Sequence, residues 1–188
     1  MLTLPEFLES LKTLDEVIKV DYYLPGCPPP VKLILDAVGA IAEGKLPPAG
    51  SVLAGKKSVC DECKKEKDEK EIKEIKEIKR LSEIKNVDTK KCLLEQGIIC
   101  MGPATRSGCD ARCLNANMPC SGCMGPCKGV KDQGAKMVSA LGSILNITDE
   151  EKTDESRIEK IIEKIHDPVG TFYKYTYITS LLAKIGRR

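Results

Sequence analysis

Residues 92–127 read CLLEQGIICMGPATRSGCDARCLNANMPCSGCMGPC and hold seven of the chain's ten cysteines. Glycine and proline interrupt the stretch every few residues, so neither a helical nor a strand period runs through it. It offers little apolar material to order it by burial. It therefore reads as irregular loops and short turns held by inorganic centres. The other cysteines are Cys27, Cys60 and Cys63. Cys60 and Cys63 form one C-x-x-C pair and Cys120 and Cys123 another. Seven residues separate Cys92 from Cys100, three separate Cys109 from Cys113, and Cys127 closes the stretch.

The redox compartment frames what these thiols can do. No window approaches the ~18 apolar residues of a membrane helix. The opening MLTLPEFLESLKTLDEV has no cationic region ahead of an apolar one, so it does not read as a secretory signal. A cytoplasmic chain keeps its thiols reduced, which favours ligation over cross-linking. Hyperthermophile proteins break that rule, and the Lys, Glu and Ile richness here is a composition they favour, so disulfides stay a minority alternative. With 30 basic and 28 acidic residues the net charge is +2, too balanced for a dedicated nucleic-acid binder.

Structural zinc takes four donors, usually from two close pairs. A zinc site built on Cys60, Cys63, Cys120 and Cys123 leaves the cysteines between them unexplained. Iron–sulfur clusters also take four cysteines and accept them from scattered loops. In chain order the natural partition is Cys60, Cys63, Cys92 and Cys100 for one 4Fe-4S cluster, and Cys109, Cys113, Cys120 and Cys123 for another. The spacing favours iron–sulfur and leaves a zinc-stabilised interaction module as the alternative. Turns such as CMGP and PCSGC bring backbone amides towards sulfur, one of the ways a protein adjusts a cluster's reduction potential.

Away from this stretch, residues 5–18 read as a short amphipathic helix and KVDYYL (19–24) as a brief strand. VKLILDAVGAIAEG (31–44) reads as a helix with Pro30 at its start and Gly44 at its end, apolar on so much of its surface that burial is expected. The segment after Cys63 carries nine basic and seven acidic side chains between Lys64 and Lys85, and reads as a solvated insertion. Its Ile72, Ile75, Ile78, Leu81 and Ile84 recur every third residue, a step that drifts around a helix, so it is helical in part or extended over the surface. DQGAKMVSALGSILN (132–146) and TDESRIEKIIEKI read as helices. Asp167 and Pro168 look like the cap and first position of a last helix running to Ile185. Three regions follow: 1–55 with the PGCPP turn and a helix, 56–130 as the cysteine-rich domain with the charged insertion at 64–91, and 131–188 as C-terminal helices.

VDYYLPGCPP, CLLEQGIICMGPATRSGC and PCSGC together resemble the small subunit of nickel–iron hydrogenases. The likeness is in particular to the gamma subunit of the methyl-viologen-reducing type, which in methanogenic archaea feeds electrons to heterodisulfide reductase. It continues through DQGAKMVSALGSIL and DPVGTFYKYTYITSLL. PGCPP alone also resembles the cluster-bearing subunit of respiratory complex I, which keeps a cluster relay of that kind as a further alternative. The resemblance implies a mainly α fold with irregular cluster-binding loops, the C-terminal iron–sulfur domain of the small subunit without its flavodoxin-like N-terminal half. It implies an electron-transfer subunit of an oxidoreductase acting on dihydrogen, not itself catalytic, with two 4Fe-4S clusters. Cys60, Cys63, Cys92 and Cys100 would hold the distal cluster, with Cys60 where many relatives carry histidine. Cys109, Cys113, Cys120 and Cys123 would hold the medial one, with Cys127 competing with Cys113 as its fourth ligand. Cys27 would give one ligand to a third, proximal 4Fe-4S cluster. The implied partners are the nickel–iron large subunit, a polypeptide supplying the flavodoxin-like half, and an electron acceptor linked to heterodisulfide reductase.

Plainer roles stand beside these. Cys27 reads equally as a small buried hydrophobe in a tight turn. Cys127 reads as a thiol without a ligand role. His166, the single histidine, suits a charge–dipole contact at a helix end. Arg106 and Lys128 read as solvated surface charges, and Tyr173, Tyr175 and Tyr177 as helix packing.

Overall fold

Two residues of strand, Tyr22–Tyr23 (β1), pair in parallel with Ser51–Val52 (β2), in the register Tyr22 to Ser51 and Tyr23 to Val52. Helix α1, Val31–Ala42, crosses between them. The computed structural model describes residues 4, 11–67, 75, 77–145 and 155–186. Gly26 makes the turn into α1 possible: its φ is +124°, and a β-carbon there would lie 2.6 Å from the Pro29 Cα. Gly44, at φ +65°, donates to the Ile41 carbonyl and ends the helix. The strand and helix fall where the sequence puts them, but the expected burial of α1 does not hold. Only Leu33 is buried, while Leu35 is 65 % exposed and Val31, Val38 and Ile41 lie open beside it. Within the described part of the helix expected over 5–18, residues 11–18, the backbone forms a 3-10 turn at Leu14–Glu16, closed by the Thr13 amide donating to Glu16 Oε2 at 2.7 Å. Residues 5–10 of that reading lie outside the described residues.

The cysteine-rich stretch is the core of the chain, contrary to the expectation that it lacks apolar material. Leu93, Ile98, Met101, Ala104, Ala111 and Leu114 are all buried, together with Cys100 and Cys120, against Val59, Met137, Leu141 and Phe172. Its backbone is irregular, with 3-10 turns at Leu94–Gln96 and Gly102–Ala104 and a single helical turn, α2, at Arg112–Asn115. Side chains too few for a periodic stripe still converge, because each turn aims its apolar residue inward.

Of the charged segment, Ile75 and residues 77–91 lie along this core with their apolar side chains inward and most of their charges exposed. The Ile75 amide donates to the Ile144 carbonyl at 2.9 Å, and the Lys79 amide to the Gly97 carbonyl at 2.9 Å. Ile75 and Ile78 are 5 % and 4 % exposed, and Leu81 and Ile84 pack on the core behind them. Ile72 lies outside the described residues.

Helix α3, Gln133–Ile144, buries Gln133, Met137 and Leu141 along one face, four residues apart at each step. Helix α4 spans Glu155–Glu163. The last helix is broken into α5, Pro168–Phe172, and α6, Leu181–Gly186. Asp167 caps α5 as read, accepting from the Gly170 amide at 2.9 Å. Two things end α5 early. The Tyr173 ring packs over Gly134, where a β-carbon would collide with it. The β-branched residues Thr176, Ile178 and Thr179 then favour turns over helix. Asp132 restarts the helix. Its Oδ1 accepts from the Ala135 amide at 2.8 Å and caps α3, and its Oδ2 accepts from the Leu181 amide at 2.8 Å at the start of α6. One buried carboxylate thus seats both ends of the C-terminal region. Among the described residues no helix is long and apolar enough to cross a membrane.

Replacing Asp132 with Ala removes two caps at once. At the usual cost of a lost cap, the loss is about 2–3 kcal/mol of unfolding free energy by urea titration. Asp132→Asn, which keeps one acceptor oxygen, is expected to lose about half of that.

Candidate metal centre

Cys60 sits in the 3-10 turn Val59–Asp61, which the Val59 amide ties to the Thr105 carbonyl at 2.8 Å. That bond brings the C-x-x-C turn against the loop after Cys100. Gly102 lets them meet: a β-carbon there would lie 3.1 Å from the Cys60 sulfur and 3.5 Å from that of Cys100. Cys60 interacts electrostatically with Cys63 and Cys92, and Cys100 with Cys60 and Cys92. The four thiols of the first predicted set are therefore neighbours. Burial pushes both Cys60 and Cys100 up to about 11.

The second set lines one cavity of about 280 Å³. Cys109, Cys113, Cys120 and Cys123 all face it, with Pro28, Pro29 and Pro30 on the opposite wall. Cys127 is not among its lining residues; its sulfur lies 3.8 Å from the Pro103 carbonyl oxygen, half-buried near Arg106. Burial pushes Cys120 up to about 12. Cys109 is also raised, by burial first.

Backbone amides partly oppose that burial. The Cys100 sulfur receives the amides of Gly102 and Cys120, the latter at 3.4 Å. The Cys120 sulfur receives the amide of Gly122. The Cys109 sulfur receives those of Ala111 and Arg112. Left-handed backbone turns the amides inward, at Gly122 (φ +95°) and at Asp110 and Ala111 (φ 54° and 49°). Such amides favour the ionised thiolate, the form that ligates metal. All ten cysteines are unbridged. Among the described residues no three Cys, His, Asp or Glu side chains converge closely enough for a single metal ion.

Cys27 is exposed, so the reading as a buried hydrophobe fails. Its turn nonetheless belongs to the site, since the three prolines after it line the second cavity. Arg106 is half-buried and donates to the Gly55 carbonyl at 3.0 Å rather than standing in solvent, while Lys128 is exposed. Tyr173 is buried against α3, and Tyr175 and Tyr177 are partly exposed.

Three supporting residues escaped the sequence reading. Buried Gln133 donates to the Thr105 hydroxyl at 3.0 Å and to the Gly122 carbonyl at 3.1 Å, which fixes the loop whose amide meets Cys120. Its only signal was a polar residue on the apolar face of α3. Lys65 is buried, donating to the Thr89 carbonyl at 2.7 Å and to Asn117 Oδ1 at 2.9 Å. Glu62 accepts from the Gly108 amide at 2.7 Å. Both were hidden in a charged run.

The ten cysteines are unbridged, and Cys100 and Cys120 belong to the hydrophobic core. No family model matches the chain. It is 42 % identical to the iron-sulfur G-subunit of the F420-non-reducing hydrogenase of Archaeoglobus profundus, over 97 % of this chain and 55 % of that protein. It is 37 % identical to the F420-non-reducing hydrogenase G-subunit of Methanothermobacter thermautotrophicus, over 95 % of this chain and 55 % of that one. With the corresponding G-subunit of Methanothermus fervidus it shares 47 % identity, over 53 % of this chain and 76 % of that protein. The chain belongs to the G-subunit family of F420-non-reducing hydrogenases. It spans about half the length of the first two of these curated relatives.

The raised thiols give a signed pH dependence. Cys60, Cys100 and Cys120 are held neutral in the fold, up to about 11, 11 and 12, against an ordinary thiol value of 9.0. The unfolded chain loses those protons first, so stability is full below pH 9 and is lost as pH rises from 9 towards 12. The metal-free chain should therefore lose melting temperature more steeply above pH 9 than a variant carrying Ser at all three positions. Each thiol contributes at most about 1.4 kcal/mol per pH unit. Thermal melts of the two proteins across that window measure the difference.

Proposed function

We propose that this chain is the cluster-bearing part of a hydrogenase small subunit and conducts electrons without making or breaking substrate bonds. The observation that carries the reading is the cavity ringed by Cys109, Cys113, Cys120 and Cys123, with backbone amides directed at their sulfurs. Four soft donors around an enclosed space, rather than around a point, fit a 4Fe-4S cluster. The first set, Cys60, Cys63, Cys92 and Cys100, fits a second cluster on the same terms. The name of the Archaeoglobus profundus relative, an iron-sulfur subunit, agrees with both.

When bound, such clusters accept and release single electrons. The chain's own work is to hold the sulfurs, exclude water and set the field around them. Core burial of Cys100 and Cys120 keeps solvent from one member of each set, and the inward amides would stabilise the negative charge that a reduced cluster carries. Cys27, exposed beside the second cavity, would give one thiolate to a third cluster completed by another polypeptide. The open apolar face of α1 suits the flavodoxin-like segment that would bring the other three ligands. In this role electrons would enter from a nickel–iron large subunit and leave towards an acceptor linked to heterodisulfide reductase.

Anaerobic reconstitution with iron and sulfide tests the reading. A brown protein with about eight irons and eight acid-labile sulfides per chain is expected, from two clusters of four. Zinc with no sulfide would overturn it. Alkylation of the loaded chain, read by peptide mass, should modify Cys27 and Cys127 and spare the other eight. Cys113→Ser should lower the iron content, and Cys127→Ser should leave it unchanged.

A further inference from the structure

Glu62 lies inside the C-x-x-C of the first set, yet its side chain serves the second. Its Oε1 accepts from the Gly108 amide at 2.7 Å, one residue before Cys109. Its Oε2 is buried and has no hydrogen-bond partner among the described residues. Leu33, the one buried residue of α1, packs against Gly108 and shares a cavity wall with Glu62. The facing cation, Lys32, is engaged with Asp36 at 2.8 Å, and Asp110 adds a further carboxylate to the same wall. This leaves a half-buried carboxylate with one hydrogen bond and, among the described residues, no ion-pair partner of its own. Lys67, which donates to the Cys60 carbonyl, puts a charge of the opposite sign beside the first set, but it is exposed.

A partly buried charge acts at lower effective dielectric and is screened less by salt than an exposed one. Cluster potential responds to local charge, because reduction adds a negative charge to the site.

We infer that Glu62 is a potential-setting residue, whose half-buried carboxylate, held against the Gly108 amide, lowers the reduction potential of the cluster held by Cys109, Cys113, Cys120 and Cys123. The inference rests on the cluster reading above. It makes Glu62 a positioning residue for charge: it ligates nothing and acts through the field it imposes. The electron then rests less readily on the second set than it would without Glu62, which biases transfer away from it.

The test is a redox titration of the reconstituted full chain, followed by electron paramagnetic resonance, with Glu62→Gln, Glu62→Asp and Lys32→Glu compared with the unaltered protein. Gln keeps the acceptor oxygen and loses the charge; Asp keeps the charge and shortens the reach. Glu62→Gln should raise one potential, that of the signal altered by Cys113→Ser, by an amount that persists at high salt. Glu62→Asp should leave that potential closer to its original value than Gln does. Lys32→Glu, on the exposed side of α1, should lower the same potential at low ionic strength and so reads the sign even if Glu62→Gln fails to load. Full iron and sulfide with unmoved potentials in Glu62→Gln and Lys32→Glu would overturn the inference and leave the cluster reading standing. So would a larger shift in Asp than in Gln, or a shift confined to the other signal. An unaltered chain that takes up no iron and sulfide would instead overturn the cluster reading, and this inference with it.

Discussion

The amide of Cys120 donates to the sulfur of Cys100, and both residues are buried in one hydrophobic core. That contact joins the two sets of thiols across twenty residues of chain. It also states the constraint under which the fold is built. A thiol in an apolar interior resists ionisation, yet thiolate is the form that binds metal. The fold meets the conflict with local geometry. Wherever a thiol is most buried, the amide two residues onward turns back to it, at Gly102 for Cys100 and Gly122 for Cys120. Those turns offset burial only in part, since Cys100 and Cys120 stay raised to about 11 and about 12.

The supports around the cysteines follow from the same constraint. Gly102 cannot carry a side chain without crowding two sulfurs, and Gln133 braces Gly122 from the adjacent helix. Asp132, next in sequence to Gln133, fixes α3 and the start of α6. The C-terminal helices therefore act as a back wall for the loops, joined to them by buried polar contacts as well as by Met137, Leu141 and Phe172. Buried polar groups with every partner in place narrow the number of ways a core can pack. That suits a site whose donors must hold fixed positions.

Local chemistry was legible in the residues. The brief strand near Tyr22, the start and stop of α1, the body of α3 and the Asp167 cap all follow from turn residues, capping groups and helical spacing. The C-x-x-C turn meets the loop after Cys100 through one backbone bond, from the Val59 amide to the Thr105 carbonyl, which chain order alone does not give. Longer-range facts were not legible. Apolar residues around α1 signalled burial, but periodicity cannot say whether the covering surface belongs to the same chain. The glycines and prolines of 92–127 hid a core, because inward aim there comes from individual turns and not from a repeat. The step of three in the charged segment fitted no regular element, since Ile75 and Lys79 are held by backbone bonds to distant carbonyls. The break after Phe172 depends on Tyr173 meeting Gly134, a contact that no local window contains.

Asp132 has one partner three residues ahead and another forty-nine residues ahead. The first forms as soon as α3 exists; the second must wait until residue 181 has left the ribosome. The loops that carry the thiols are synthesised well before this clamp, so during translation they face the cell without their back wall. The contact that closes this part of the fold is thus among the last that the growing chain can make.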